Sequence, residues 1–453
     1  MSSSYDDNRS RKWLIFALCS CAYFLSHFHR VSPAVIAENL LTEYAITAAQ
    51  LGLLASTYFY VYCALQIPFG IFTDMLGSRA VISISTAIAT VGVLLFSASH
   101  TWRMAVAARV ITGLGAAGVY IPTLQLLSRI SGPGEFSTMV GLFGAAGHLG
   151  SLVATSPLAL AVSAIGWRQS FVIIGVITIL VTVACWVFLR NPEPAQTGAT
   201  GVLVNGDPPA ASADRRSQAH TCATSNAGGN AARSRWTVLS GLLPIMLLGA
   251  TAFFKYGPLM GYQGLWGVPY LMDVKAMTKI EASNMMMVVS LACMVGGPLA
   301  GFLVDRLGFR RRVVFVTGSL LYALAWVPLA FFTASAPTWL LYASAVLIGV
   351  PTTALAVVGF GMAKDYAGSN KAGTGMAVVN ACTLFGAAVF QPLMGCLIDK
   401  AAAGGPATAA AYASAFRVTF AGVALMVVGA YLIRDPKDRA VGSRGRNVRA
   451  GVL

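Results

Sequence analysis

Charge is what this sequence has little of. Only 10% of its 453 residues are Asp, Glu, Lys or Arg, whereas a soluble domain carries about a quarter. Acids are scarcest, at 16 against 31 Lys and Arg. Apolar residues make up 57% of the chain, and mean hydropathy is +0.71. This balance excludes an ordinary soluble enzyme and predicts a polytopic helical membrane protein, since each crossing needs about 20 apolar residues. The eight cysteines form no CxxC pair and no metal-ligand spacing. Seven of them (Cys19, Cys21, Cys63, Cys185, Cys293, Cys382 and Cys396) fall inside apolar runs and read as small hydrophobes. No metal site, cofactor site or nucleophile–base constellation stands out, so no enzymatic chemistry is expected. The first apolar run is too long for a cleavable signal.

Twelve apolar runs are present, at about 13–37, 48–70, 80–98, 103–127, 138–163, 169–189, 238–271, 283–303, 313–332, 338–362, 374–398 and 409–432. Backbone hydrogen bonding in lipid makes these helices. The stretch 191–236 is rich in Ala, Gly, Pro, Ser, Asn and Thr and cannot bury a core. It reads as a cytoplasmic linker between two six-helix halves, 1–190 and 237–453. Of the 31 cations, 22 fall in the even-numbered connections, the linker and the termini, and 5 on the other side. By the positive-inside rule both termini are expected in the cytoplasm, in a cytoplasmic (inner) membrane. The net charge of +15 therefore reflects topology and contact with membrane lipid, including a basic tail from Arg434, and not nucleic-acid binding.

The halves repeat a motif. After the second run stands Gly70-Ile-Phe-Thr-Asp74-Met-Leu-Gly77-Ser-Arg79, and after the eighth stands Gly301-Phe-Leu-Val-Asp305-Arg-Leu-Gly308-Phe-Arg310. Glycine permits the tight turn, the aspartate is expected to cap the next helix, and the arginine to anchor at the cytoplasmic face. With Arg109-Val-Ile-Thr-Gly113-Leu-Gly115 in the fourth run, the chain resembles the major facilitator superfamily. That resemblance implies an all-α fold of twelve transmembrane helices. It also implies two bundles related by a pseudo-twofold axis, a central site between them, and alternating access in which Asp74, Gly77, Arg79, Asp305, Gly308, Arg310 and Arg109 govern conformation.

Four cations lie within the runs: Arg30, Arg109, Lys255 and Arg417. A cation near the bilayer centre costs about 2.5–3.5 kcal/mol on insertion scales, so each calls for a partner or a function. All sixteen acids lie in loops or at run ends. The partner of a central cation is therefore water or an anionic solute. Arg30-x-x-Pro33 and Lys255-x-x-Pro258 share a spacing on the first helix of each half, and both cations sit more than a turn from the nearest run end. They are expected to face one another and bind an anion.

Tyr23, His27 and Arg30 share one face by helical spacing, while His29 points elsewhere and reads as structural. His27 is either a donor or proton carrier for an anion, or a packed imidazole. His148, among small residues, is either an interhelical hydrogen bonder or a cavity ligand. Tyr62 and Gln66 continue a polar stripe begun by Tyr58. Tyr262 and Trp266 follow Lys255 by spacing, and Asn380, Thr383 and Gln391 mark the eleventh run. Arg109 reads as structural or gating.

Arg30 with Tyr58-Phe-Tyr-Val-Tyr62-x-x-x-Gln66-x-Pro68-x-Gly70 resembles the organic-anion branch of that superfamily, the anion:cation symporters and organophosphate:phosphate antiporters. His29 stands where such symporters have Asp, and Gly115-Ala-Ala-Gly118 lacks their Glu. Coupling then falls either to a proton on a histidine or to a counter-anion. The expectation is a monomeric secondary transporter of a small carboxylate or organophosphate. Two alternatives are an anion sensor signalling to a membrane partner and, ranked lower, an exporter of hydrophobic cations or metabolites.

Overall fold

A computed structural model describes residues 2–131, 135–189, 227–367, 372–403 and 405–433. It is all helical among those residues, and twelve helical segments are long and apolar enough to cross a membrane. The first half holds α1 (Ser2–Val31), α2 (Pro33–Tyr44), α3 (Ala48–Ser97), α4 (Trp102–Ile130), α5 (Phe136–Val153), α6 (Ser156–Ile165) and α7 (Trp167–Phe188). The second holds α8 (Ala227–Gly261), α9 (Gly267–Lys275), α10 (Lys279–Gly301), α11 (Arg311–Phe331), α12 (Thr338–Ala367), α13 (Ala372–Ala402) and α14 (Ala409–Leu432). Of the expected linker, 191–226 lies outside the described residues, as does the basic tail; 227–236 belongs to α8.

Local chemistry sets the ends. Thr47 with Gln50 and Thr278 with Glu281 form reciprocal capping boxes at the starts of α3 and α10. Thr101 and Thr408 cap α4 and α14 from their side chains. The first apolar run does not continue to residue 37 as one helix: it breaks at Ser32, ahead of Pro33, which stands at the start of α2. Proline has no amide hydrogen to give to the preceding turn, while Ser32 itself keeps helical dihedrals, φ −52° and ψ −30°. Arg30 is thereby placed in the last turn of α1, where the helix C-terminus favours a cation. The second half differs, because α8 runs on through Pro258. A π-helical turn, Tyr262–Trp266, joins it to α9.

Within each half the helices pack in corresponding pairs, α1 on α5 and α3 on α4 in the first, α8 on α13 and α10 on α12 in the second. Across the halves, α3 packs on α13 and α5 on α10. The outward faces are apolar, as lipid requires: on α7, Val172, Ile173, Val176, Ile177, Leu180 and Val183 are all exposed.

The halves meet tightly at the end remote from the termini. Asp399, near the end of α13, accepts the Ala48 and Ala49 amides at the start of α3, at 2.9 and 2.7 Å. Lys279 pairs with Glu38 at 3.2 Å and donates to Asn39. Ser156 donates to Asn284 at 2.6 Å. Glycine makes the α3–α13 crossing possible. A Cβ on Gly52 would lie 2.7 Å from the Gln391 carbonyl oxygen, and one on Gly395 would lie 2.4 Å from the Ala48 carbonyl oxygen. At the end bearing the termini, the ion pairs and hydrogen bonds among described residues stay within one half: Lys12 with Glu135, Asp74 with Gln125, Arg311 with Asp365.

A central cavity with two cations

Between the halves lies a cavity of about 160 Å³. It is room for several waters, at roughly 30 Å³ each, or for one small solute. From the first half it is lined by Tyr23, His27 and Arg30 of α1, Tyr62 of α3, Tyr120 of α4, and His148 and Ser151 of α5. From the second come Lys255, Tyr256, Met260, Gln263, Cys293, Thr352, Thr353, Asn380 and Thr383. Among the described residues, no acidic residue lines it.

Arg30 is 5% exposed and Lys255 is 4% exposed. Arg30 Nη1 donates to the Tyr256 hydroxyl at 3.4 Å, and the guanidinium carbon stands 4.9 Å from the centroid of the Tyr62 ring. A cation over a tyrosine face gains about 2 kcal/mol or more when desolvated. Arg30 Nε has no hydrogen-bond partner. Among the described residues, the Lys255 ammonium makes no ion pair or hydrogen bond to protein, while its backbone carbonyl accepts from the Tyr322 hydroxyl at 2.7 Å. His27 shares a 3.3 Å hydrogen bond between Nδ1 and Ser151 Oγ and packs against Tyr23 and His148. Its buried Nε2 is unpartnered.

Arg109 lies outside this lining. Its Nη1 donates to the His29 carbonyl at 2.8 Å and its Nη2 to the Ala55 carbonyl at 3.4 Å, while its guanidinium carbon is 5.1 Å from the Tyr58 ring. It therefore ties the backbone beside Arg30 to α3 and α4. His29 is buried off the cavity, edge-on to Phe28.

The repeated motifs sit in matching places. Gly77 and Gly308, the second glycine of each, have φ of +80° and +68°, which a side chain resists. Arg79 Nη2 donates to the Trp186 carbonyl at 2.8 Å. The aspartates do not act as the expected helix caps. Asp74 lies within α3 and accepts from Gln125 at 3.0 Å. Asp305 lies in a π-helical turn, Phe302–Arg306, and α11 follows Arg310 with no side-chain cap. The extra residue of the π turn and the left-handed glycine separate Asp305 from the next helix start.

The family model described as Major Facilitator Superfamily matches residues 16–272 and 259–452. The chain belongs to the Major Facilitator Superfamily. It is 25% identical over 332 residues to a D-galactonate transporter of Escherichia coli, covering 69% of this chain and 73% of that protein. It is 24% identical over 192 residues to a probable sulfoacetate transporter of Cupriavidus necator, covering 42% of this chain and 44% of that one. With an uncharacterized transporter of Bacillus subtilis it is 26% identical, again spanning only 42% of the relative. The chain thus spans under half the length of these last two curated relatives. Among solved structures, a bacterial homolog of the human lysosomal transporter Spinster, in an inward-facing and unoccupied conformation, superposes with a TM-score of 0.68 at 19% identity. That match covers 93% of this chain and 96% of that one. A D-xylose–proton symporter superposes with a TM-score of 0.71 at 13% identity, covering 94% and 98%. At such identities these likenesses speak to the fold alone.

In this superfamily member, Arg30, Lys255, His27, His148, Tyr62 and Asn380 converge on one cavity, and Tyr262 and Gln66 do not line it. Tyr262 is 1% exposed and packs against Trp326 and Phe416 within the second half. The reason is phase. The wall of α8 is centred on Tyr256, Leu259, Met260 and Gln263, and Lys255 reaches in from its edge. The residue seven after Lys255 therefore points away, and the residue seven after Tyr256, Gln263, faces in. Gln391 is also off the lining, donating to the Met260 carbonyl at 3.1 Å. Trp266 is likewise structural, donating to the Gln391 carbonyl at 3.0 Å. Tyr256, Gln263 and Tyr120 were not singled out from sequence. Taking the neighbour of Lys255 as the reference would have found the first two.

Proposed function

We propose that this protein is a secondary transporter of a small organic anion, held in the central cavity by Arg30 and Lys255. The observation that carries the reading is two buried cations, one from each half, on a cavity that no carboxylate of the described residues lines. An anion neutralises them where no side chain does, and an arginine fork adds directional hydrogen bonds. His27, His148, Tyr62 and Asn380 supply further polar contacts. Relatives named as carriers of galactonate, sulfoacetate and galactarate or glucarate support the same solute class, and these relatives are transporters by name, not enzymes.

The proposed motion is alternating access between the halves 1–190 and 237–453, with 191–236 as their cytoplasmic linker. The Asp399 caps and the Lys279–Glu38 pair would close the end remote from the termini, leaving the cytoplasmic end to admit the solute. The excess of cations at the even-numbered connections supports cytoplasmic termini and an inner-membrane location. Asp74, Gly77, Arg79, Asp305, Gly308, Arg310 and Arg109 would govern conformation rather than touch solute.

The test is uptake of labelled carboxylates and organophosphates into proteoliposomes. Arg30→Ala and Lys255→Ala should each abolish uptake that the wild type shows. Undiminished uptake in both variants would sink the assignment.

A further inference from the structure

We propose that the solute is a small organic dianion, and that Lys255 sets that charge count. This rests on the cavity being the anion site. Both cations are buried on one lining, and among the described residues no negative charge is set against them. No acid among the described residues lines the cavity. Its other polar groups are hydroxyls, amides, imidazoles and a thiol. Arg30 has one long hydrogen bond to a neutral hydroxyl and an unpartnered Nε, and the Lys255 ammonium is unpaired among the described residues.

A single negative charge bound here would leave one buried cation uncompensated, which is costly in a low-dielectric site. Two negative charges leave none. The cations also come from opposite halves, Arg30 on α1 and Lys255 on α8, and the hydroxyl of Tyr256, the residue after Lys255 in the chain, lies 3.4 Å from Arg30 Nη1. A compact solute in this cavity of about 160 Å³ shares its walls with both cations. A dicarboxylate with one charge toward each half satisfies this arrangement, and so does a phosphate monoester shared between the two. The common chemistry is two negative charges on one small molecule.

The test uses purified full-length protein and pairs of probes that differ in charge but hardly in shape: succinate against succinamate, glutarate against glutaramate, and glycerol phosphate against its methyl ester. Malonate, adipate and gluconate complete the panel. Melting temperature is followed across a concentration series near neutral pH, since a ligand of the folded state raises it. At least one dianion should bind tighter than its monoanionic partner by on the order of tenfold or more. Whether the carboxylate or the phosphate pair responds identifies which source of the two charges the site takes. Lys255→Met should bring the ratio close to one, and Lys255→Arg should keep it. The methionine variant removes an unpaired buried charge without changing volume much, so it should fold at least as well as the wild type. A monoanion that binds as tightly as its dianionic partner overturns this inference and leaves the anion site standing. If no anion of either charge stabilises the wild type, the anion site and this inference fall together.

Discussion

Arg30 reaches across the molecule to Tyr256: its Nη1 donates to the tyrosine hydroxyl at 3.4 Å, linking α1 of the first half to α8 of the second. At the level of the cavity, the two halves are thus joined through the cation proposed to bind the solute. A neutral hydroxyl competes weakly with an anion for a guanidinium, because a typical hydrogen bond nets only about 0.5–1.5 kcal/mol. Tyr256→Phe should therefore leave anion affinity unchanged or tighten it by up to about fivefold. Arg30→Lys, which loses the planar fork, should weaken it by on the order of tenfold or more. Equilibrium binding on the two purified variants checks this, and loss of binding in Tyr256→Phe would make the hydroxyl a ligand of the solute instead.

Lys255 offers a separation of stability from function. Replacing an unpaired buried ammonium by an apolar side chain of similar length removes the cost of burying an ion, and so is neutral or stabilising. Ligand-free Lys255→Met should melt no lower than the wild type, and uptake should be lost. A variant that melts well below the wild type would show that Lys255 is a structural group with an unseen partner.

Asp399 and the start of α3 form the clearest latch between the halves, one carboxylate accepting two backbone amides. Losing a side-chain cap costs about 0.5–2 kcal/mol. Asp399→Ala should shift the population toward opening at the end remote from the termini. A cysteine replacing Thr42, which lines a small vestibule there with Glu38 and Asp273, should then label several-fold faster in that background than in one retaining Asp399. Equal labelling rates would remove Asp399 from the closure.

The α3–α13 crossing allows no added methyl at Gly52. The new Cβ would meet the Gln391 carbonyl oxygen and the Pro392 Cα, each at 2.7 Å. Both are backbone atoms, so the helices themselves must separate. Overpacking of this kind costs about 1–3 kcal/mol. Gly52→Ala should lower the melting temperature and open the same end, whereas Gly70→Ala, with no atom within 4 Å of its Cβ, should do neither.

Outside the spans, Glu43 on α2 accepts from Arg168 Nη2 at 2.5 Å and from the Trp167 indole at 2.8 Å. Partial burial pushes its carboxyl up, but the hydrogen bonds and the nearby guanidinium outweigh it and hold the group below the usual carboxylate range. A carboxyl depressed in the folded state contributes stability above its unfolded value and loses it as pH falls through the folded value. Glu43→Gln should therefore melt slightly below the wild type at neutral pH, by under about 1 kcal/mol for so exposed a pair. The difference should vanish in acid below the ordinary carboxylate range, and melting curves across that range decide it.

The amino-acid sequence by itself determined the class, the helix count and the repeat. Apolar run length, the scarcity of acids and the twin motifs are one-dimensional properties that lipid reads directly. It also marked Arg30, His27, His148, Tyr62, Lys255 and Asn380, because polar groups inside apolar runs stand out wherever they later point. Direction was what it lacked. The phase of α8 decides that Tyr256 and Gln263 face the cavity and Tyr262 does not, and phase depends on how a helix rotates against its neighbours. The break at Ser32 depends on where a proline falls relative to packing, as the uninterrupted Pro258 shows. The Asp399 latch joins residues 351 and 350 positions apart, a pairing that only the closure of the two halves creates. The sequence disclosed an excess of buried positive charge; the tertiary structure placed two of those charges on one cavity that no carboxylate of the described residues lines, and that juxtaposition is what gives them a chemical meaning.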